Sequence, residues 1–233
     1  MSNYQFELFQ QSWSIYQQIL DANYMFHREI SSELNQFCQR YFAGKAIKLI
    51  DLGCGDASQS IPVLNSLTIN HYIACDVSQT ALELAAVNLK QTGWPYRIHC
   101  EDMLSGLTTL DDQVDLIYCS FSMHHLDTAQ KQQLFSAASR VLTEKGLFLL
   151  VDIVRDEDQS LADYHQAYLD YAETHWTCIN ANDFATLSQH VSSSDLPETF
   201  NQLTALAKQA GFNRSELLTK HTWHASSVFY KTN

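Results

Sequence analysis

Leu49-Ile50-Asp51-Leu52-Gly53-Cys54-Gly55-Asp56-Ala57-Ser58 is the stretch on which the reading of this chain turns. The apolar run begins at Ala46, carries an acid near its end, and breaks at a Gly-x-Gly. Ala46–Leu52 therefore reads as a buried strand followed by a tight turn. Glycine at both turn positions lets the backbone approach a ligand where a Cβ would collide. Ser58–Leu67 reads as the next helix, with Pro62 near its start, and its free N–H groups face the turn. Alone, a Gly-x-Gly turn occurs in many α/β proteins and is a weak signal.

Working outward, strands and helices alternate. His71–Asp76 reads as a second strand. Ser78 can cap a helix to about Gln91, with Ala81, Leu84, Ala85 and Leu89 on one face. Tyr96–Cys100 and Val114–Ser120 read as the third and fourth strands. Asp127 caps a helix through Leu142 that Gly146 ends, and Leu147–Ile153 is the fifth strand. Such alternation implies βαβ units and a parallel sheet with helices on both faces. Phe200–Ala210 reads as a helix, then Ser215–Trp223 and Ser226–Lys231 as strands joined too tightly for a helix, hence an antiparallel hairpin. Before the first strand, residues 4–42 read as helical on the spacing of Phe9, Trp13, Tyr16, Leu20, Tyr24 and His27. The chain thus divides into a helical cap (1–45), a cofactor-binding core (46–155), a lid or acceptor insertion (156–199) and a terminal helix and hairpin (200–233).

Two further motifs join the glycine turn. Asp76 ends the second strand 25 residues after Asp51, where an acid can accept hydrogen bonds from ribose hydroxyls. Glu101-Asp102-Met103 follows the third strand, offering a carboxylate for an adenine amino group and a thioether for its ring. Three motifs at the carboxyl ends of consecutive strands define one crevice. In this arrangement the chain resembles the class I S-adenosylmethionine-dependent methyltransferases, over roughly Lys48–Asp152 and again at the terminal hairpin. The resemblance implies a Rossmann-like sheet of seven strands, the last antiparallel, and S-adenosylmethionine as cofactor. It implies a cofactor-binding set of Asp51, Gly53, Cys54, Gly55, Asp76, Val77, Asp102, Met103 and Ser120. Where family members often carry a third glycine this chain has Ala57, a mild change at a helix start. The position three after Gly55 is Ser58, which departs from the dinucleotide spacing G-x-G-x-x-G.

Composition narrows the partners. The formal net charge is −12, which repels phosphate backbones and anionic lipid, so neither nucleic acid nor membrane is expected. No apolar run approaches the roughly 18 to 20 residues of a membrane span, and MSNYQFELFQQSW lacks the pattern of a signal peptide. The six cysteines form no CxxC or zinc spacing and read as reduced thiols of a cytoplasmic protein. His221 and His224 would point to opposite faces of one strand, and no metal site is expected.

The resemblance implies methyl transfer, an in-line displacement in which the protein aligns the partners and excludes water. A base is needed where the acceptor carries a proton. His124 and His125, in Phe121-Ser122-Met123-His124-His125-Leu126 after the fourth strand, are the candidates, with Asp152 next. One of the histidines capping or packing the following helix is the plainer alternative. Tyr164, Tyr168, His175 and Trp176 are candidate acceptor contacts in the lid, although an aromatic stripe more often packs. Tyr16, Tyr24, His27 and Arg28 could cover the cofactor, Arg28 meeting its carboxylate. Between Asp156 and Asn213 the only cationic residue is Lys208, so a small neutral or cationic acceptor with a nitrogen or oxygen nucleophile is expected rather than an anion. The chain also resembles carboxy-S-adenosylmethionine synthases around Glu198–Phe212, but has Gln189-His190 in the segment where their arginine falls. A cofactor-binding partner protein without activity is the reading from another class.

Overall fold

The computed structural model describes residues 15–232; Phe9 and Trp13 lie outside them. The seven strands are β1 (Ala46–Leu52), β2 (Thr68–Asp76), β3 (Tyr96–Cys100), β4 (Val114–Ser120), β5 (Leu142–Ile153), β6 (Arg214–His221) and β7 (His224–Tyr230). They form one sheet in the order β3-β2-β1-β4-β5-β7-β6. The first five are parallel, and β7 runs antiparallel between β5 and β6. The order reverses between β1 and β4, and in open α/β sheets the crevice at such a switch point is where ligands bind.

The helices are α1 (His27–Tyr41), α2 (Ser60–Leu64), α3 (Gln79–Thr92), α4 (Met103–Thr108), α5 (Thr128–Val141), α6 (Leu161–His175), α7 (Ala181–Ser194) and α8 (Phe200–Gln209). Side chains alternate across the sheet and so feed two cores. Leu49, Tyr72, Leu116, Leu149 and Val228 pack with Leu34 of α1, Leu82 and Ala85 of α3 and Tyr164 and Tyr168 of α6. Ile50, Ile73, Ile117, Phe148 and Phe229 pack on the other face with Leu134 and Phe135 of α5 and Leu203 and Ala207 of α8. The caps act where the sequence places them. Ser78 accepts from Ala81 N at 3.2 Å, and Asp127 forms a capping box with Gln130.

The N-terminal helical reading needs correction. Residues 15–21 are helical, then a turn intervenes and α1 starts at His27. Asn23 and Phe26 there both have φ 58°, and the Asn23 side chain accepts from Arg28 N at 3.0 Å. Asparagine tolerates this left-handed backbone because its amide bonds locally. All six cysteines are free; Cys38, Cys75 and Cys119 are buried, whereas Cys100, at the end of edge strand β3, is exposed. No helix among the described residues is long and apolar enough to cross a membrane.

The turn buries His27 against Phe121, with ring centroids 4.8 Å apart, and this burial lowers its pKa from 6.5 to about 4. The folded chain keeps the imidazole neutral while the unfolded chain protonates it below pH 6.5. Stability is therefore lost as the pH falls from 6.5 towards 4. Between pH 7 and pH 5 the expected loss from this residue is about 2 kcal/mol. Urea denaturation should show His27→Phe flattening the acid limb by that amount relative to the parent chain.

Candidate active site

The floor of the crevice is the loop after β1. Gly53, Gly55 and Ala57 have φ values of 64°, 54° and 61°, so the chain turns through left-handed backbone at every second residue. A Cβ on Gly53 would lie 2.3 Å from Ser122 Oγ and 2.6 Å from Ser122 Cβ. The loop is drawn over the end of β2, where Gly53 N and Cys54 N both donate to Cys75 O, at 2.8 and 3.1 Å. Ala57 is not at a helix start, because α2 begins at Ser60 and is shorter than the sequence suggests. The alanine occupies a conformation that costs a non-glycine residue roughly 1–2 kcal/mol, and its methyl is buried.

Asp76 organises this loop from the end of β2. Its carboxylate accepts from Gly55 N at 2.9 Å and from Ser78 N at 2.8 Å. Burial raises its pKa, with these backbone donors opposing the shift. Asp51 is more deeply enclosed and accepts from Tyr72 Oη, which also bonds Ser60 Oγ at 2.8 Å. Burial raises the Asp51 pKa to about 6 against these hydrogen bonds.

A cavity of about 550 Å³ opens above the loop. Asp51, Gly53, Cys54, Gly55, Asp76, Val77, Asp102, Met103 and Ser120 all line it, so the whole cofactor set named from the sequence meets in one place. Asp102 also caps α4, accepting from Leu104 N and Ser105 N at 3.0 Å each. The roof has two parts. Ile15, Tyr16, Ile19 and Met25 come from the N-terminal side, and Tyr168, Trp176, Leu187, His190 and Val191 come from α6, its C-terminal end and α7. The parts meet where Tyr24 stacks on Trp176, with centroids 5.3 Å apart and planes 1° from parallel. No Lys or Arg is among the described lining residues, and residues 1–14 contain neither.

Past β4 the chain builds a cluster of imidazoles. Asp152, buried at the end of β5, accepts from His124 N at 2.9 Å with one oxygen and bonds His124 Nδ1 with the other. The ring is thereby locked with Nε2 facing Asp195, 3.6 Å from Oδ1. His125 Nδ1 and His190 Nε2 lie 3.5 and 3.7 Å from the same oxygen. Burial works against charge on His124, but Asp152 and Asp195 outweigh it and the pKa is raised. Burial, with His124 beside it, pushes His125 well below 6.5 and His190 to about 4. Burial also raises Asp195 to about 6, against the pull of His124. His190 and Asp195 were not legible in the sequence, since they come from the C-terminal end of α7 and no motif spacing links them to His124.

The segment carrying Asp195 is tied to the core from below. Lys131, 1% exposed, donates from Nζ to Leu196 O and lies 3.5 Å from Glu198 Oε1. That oxygen also accepts from Thr128 Oγ1 at 2.7 Å, and Leu196 N donates to His124 O at 2.8 Å.

Several sequence candidates stand elsewhere. Asp152 does not line the cavity; it positions His124. Tyr164 is buried against Tyr168 and Trp223 rather than at the cavity wall. His175 is exposed at the end of α6 and stacks on Tyr171, with centroids 4.1 Å apart. Arg28 donates to Asp21 O at 2.7 Å and does not line the cavity, because the turn after residue 21 directs it back onto its own segment. His221 and His224 are not on one strand. They face each other across the Thr222-Trp223 turn, paired in the hairpin register, with His224 3.2 Å from Tyr168 Oη.

Comparison with known proteins adds to this geometry. Residues 49–146 match a family model described as a methyltransferase domain. A demethylmenaquinone methyltransferase of Leptospira interrogans is 27% identical over 133 residues, covering 56% of this chain and 52% of the relative. The chain thus spans about half the length of that curated relative. A carboxy-S-adenosyl-L-methionine synthase of Campylobacter concisus is 24% identical over 205 residues, covering 87% of this chain and 85% of the relative. Among solved structures, an O-methyltransferase family protein from Burkholderia thailandensis superposes with a TM-score of 0.66 at 12% identity, over 91% of this chain and 58% of its own. That last likeness is one of fold.

Proposed function

We propose that this chain, whose residues 49–146 match a methyltransferase-domain model, is a class I S-adenosylmethionine-dependent methyltransferase that methylates a small neutral or cationic acceptor at nitrogen or oxygen. The observation that carries the acceptor class is the absence of any Lys or Arg among the described residues lining a cavity that holds Asp51, Asp56, Asp76, Glu101, Asp102 and Asp195. An anionic acceptor would find no lysine or arginine among these residues to clamp it. The residues present fit the family's cofactor: left-handed glycines let backbone N–H groups come close, a buried carboxylate stands at the end of β2, and Met103 offers a soft surface for a ring.

When bound, S-adenosylmethionine supplies an activated sulfonium methyl. In this reading Asp51, Gly53, Cys54 and Gly55 hold its amino-acid part, Asp76 and Val77 its ribose, Asp102 and Met103 its adenine, and Ser120 lies beneath the reacting centre. Tyr168 and Trp176 close over the acceptor and exclude water, which strengthens every polar contact inside. Tyr164 and His175 act through packing and not through contact with the acceptor. A neutral His125, partly exposed at the cavity wall, takes up the proton that an N–H or O–H acceptor releases, while Asp152 fixes the neighbouring His124.

Incubation with methyl-labelled cofactor and fractionated metabolites tests this reading. Label is expected in small molecules; label only in RNA or protein, or in nothing, would overturn it. In calorimetry Asp76→Asn should weaken cofactor binding roughly ten- to a hundredfold, the worth of hydrogen bonds to a charged group. A carboxylated cofactor, as in the name of the Campylobacter concisus relative, would need a cationic partner that these lining residues do not provide, and mass spectrometry of the cofactor pool after turnover tells the two apart.

A further inference from the structure

We propose that His124, His125 and Asp195 form a three-ligand binding site for a divalent cation of the zinc class, at the end of the cavity beyond Ser120, with His190 beside it and the fourth position open. The first observation is the convergence of ligand atoms. His124, His125 and Asp195 each offer one within 4.8 Å of the others, and His190 approaches the same Asp195 oxygen from α7. The three imidazole nitrogens lie 3.6, 3.5 and 3.7 Å from Asp195 Oδ1. These distances are too long for hydrogen bonds. They are close to the edge of a tetrahedron of nitrogen and oxygen ligands around zinc, roughly 3.4 Å for bonds of about 2.0–2.1 Å.

The second observation is independent of that spacing. Asp195 is 3% exposed, and its Oδ1, which faces the three rings, has no hydrogen-bond partner. A buried carboxylate oxygen left without a donor is costly, and native folds avoid it unless something else meets it. The third is the support of the ligand itself. Asp152 grips His124 at both Nδ1 and the backbone N–H, the carboxylate–histidine arrangement that fixes tautomer and ring direction at metal centres. The carboxyl groups of Asp152 and Asp195 are thus both buried beside the rings, where a divalent cation can balance them. Lys131, the nearest ammonium below, is engaged with Leu196 and Glu198.

The ligands come from two places: the turn after β4 and the C-terminal end of α7. Binding would therefore fasten the lid to the core, and it would commit the rings as ligands. In the methyl-transfer reading, His125 takes up the acceptor's proton when the cation is absent; with the cation bound, His125 is a ligand and an acceptor heteroatom at the open position loses its proton to water through a lowered pKa. That role rests on the methyl-transfer reading, but the site does not.

The test uses the untagged full chain, stripped with chelator and titrated with Zn²⁺ in calorimetry with cofactor absent. About one equivalent should bind and raise the melting temperature, and Co²⁺ in its place should give the intense visible bands of a four-coordinate site. His125→Ala and Asp195→Asn should abolish both effects, and Asp152→Asn should weaken binding roughly ten- to a hundredfold. Asp195→Asn should also melt higher than the cation-free parent, because it removes an uncompensated buried charge, so a loss of binding in it is not a loss of fold. No heat and no cobalt spectrum with the parent chain would overturn the site, as would binding that survives both His125→Ala and Asp195→Asn. Cofactor binding is titrated separately; its failure would overturn the methyl-transfer reading and leave this result standing.

Discussion

Lys131→Ala is expected to destabilise the chain by about 3–5 kcal/mol, the cost of breaking a buried ion pair by removing one partner. The ammonium answers Glu198 and the Leu196 carbonyl in a place water does not reach. Burial lowers the Lys131 pKa, with Glu198 opposing the shift, so the group is already held against a desolvation penalty. Arg155 lies 3.9 Å from the other Glu198 oxygen, too far to replace the lost bond and near enough to place the loss at the lower end of that range. A total stability of roughly 5–15 kcal/mol makes this a large fraction. Lys131→Met with Glu198→Gln, which removes both charges and keeps the volume, should recover most of it in urea denaturation. If the single and double variants unfold alike, the pair does not anchor the lid.

Gly53→Ala should abolish cofactor binding, at least a hundredfold in Kd, and cost about 2–5 kcal/mol of stability. Two effects add. Left-handed backbone with a Cβ costs roughly 1–2 kcal/mol, and the new methyl would sit 2.3 Å from Ser122 Oγ. Ser122 is held by its bonds to Gly53 O at 3.3 Å and Ser120 O at 3.0 Å, so moving it disturbs the floor at the same point. The double variant Gly53→Ala with Ser122→Gly separates the contributions. It should regain the steric part and keep the conformational part, read by calorimetry for the cofactor and by urea denaturation for the fold. Full recovery would mean that the φ of Gly53 carries nothing.

The sheet was legible where burial on both faces writes a continuous apolar run. Ala46–Leu52 and Val114–Ser120 stand in the structure as read, as does the half-exposed edge strand Tyr96–Cys100, and the Gly-x-Gly turn announced the crevice. β5 starts at Leu142 and not at Leu147, because Thr143, Glu144 and Lys145 are polar and extend the strand beyond the apolar signal. The hairpin turn falls at Thr222-Trp223, two residues earlier than read. Ser226 and Ser227 are buried in the middle of β7, so alternation does not mark its face or its start. α4 escaped notice as a short helix behind the Asp102 cap, and α7 because Ala181–Ser194 is rich in Ser, Asn and Gln and buries only Val191. Such a helix is placed by tertiary packing more than by its own pattern. The residues read as a cofactor set were brought to one cavity wall because they sit at the ends of strands taken in sequence order. The Asp195 cluster was not legible, because its members meet only after the lid folds back.

The Tyr24–Trp176 stack joins pieces of chain that are remote in sequence, and Tyr24 Oη accepts from Cys178 N at 3.0 Å. Neither half of the canopy is therefore an independent flap; each is the latch of the other. Opening the roof at this seam therefore takes one concerted release instead of two small openings. Weakening the leading segment, as Tyr24→Ala would, should expose the distant 156–195 stretch to proteases.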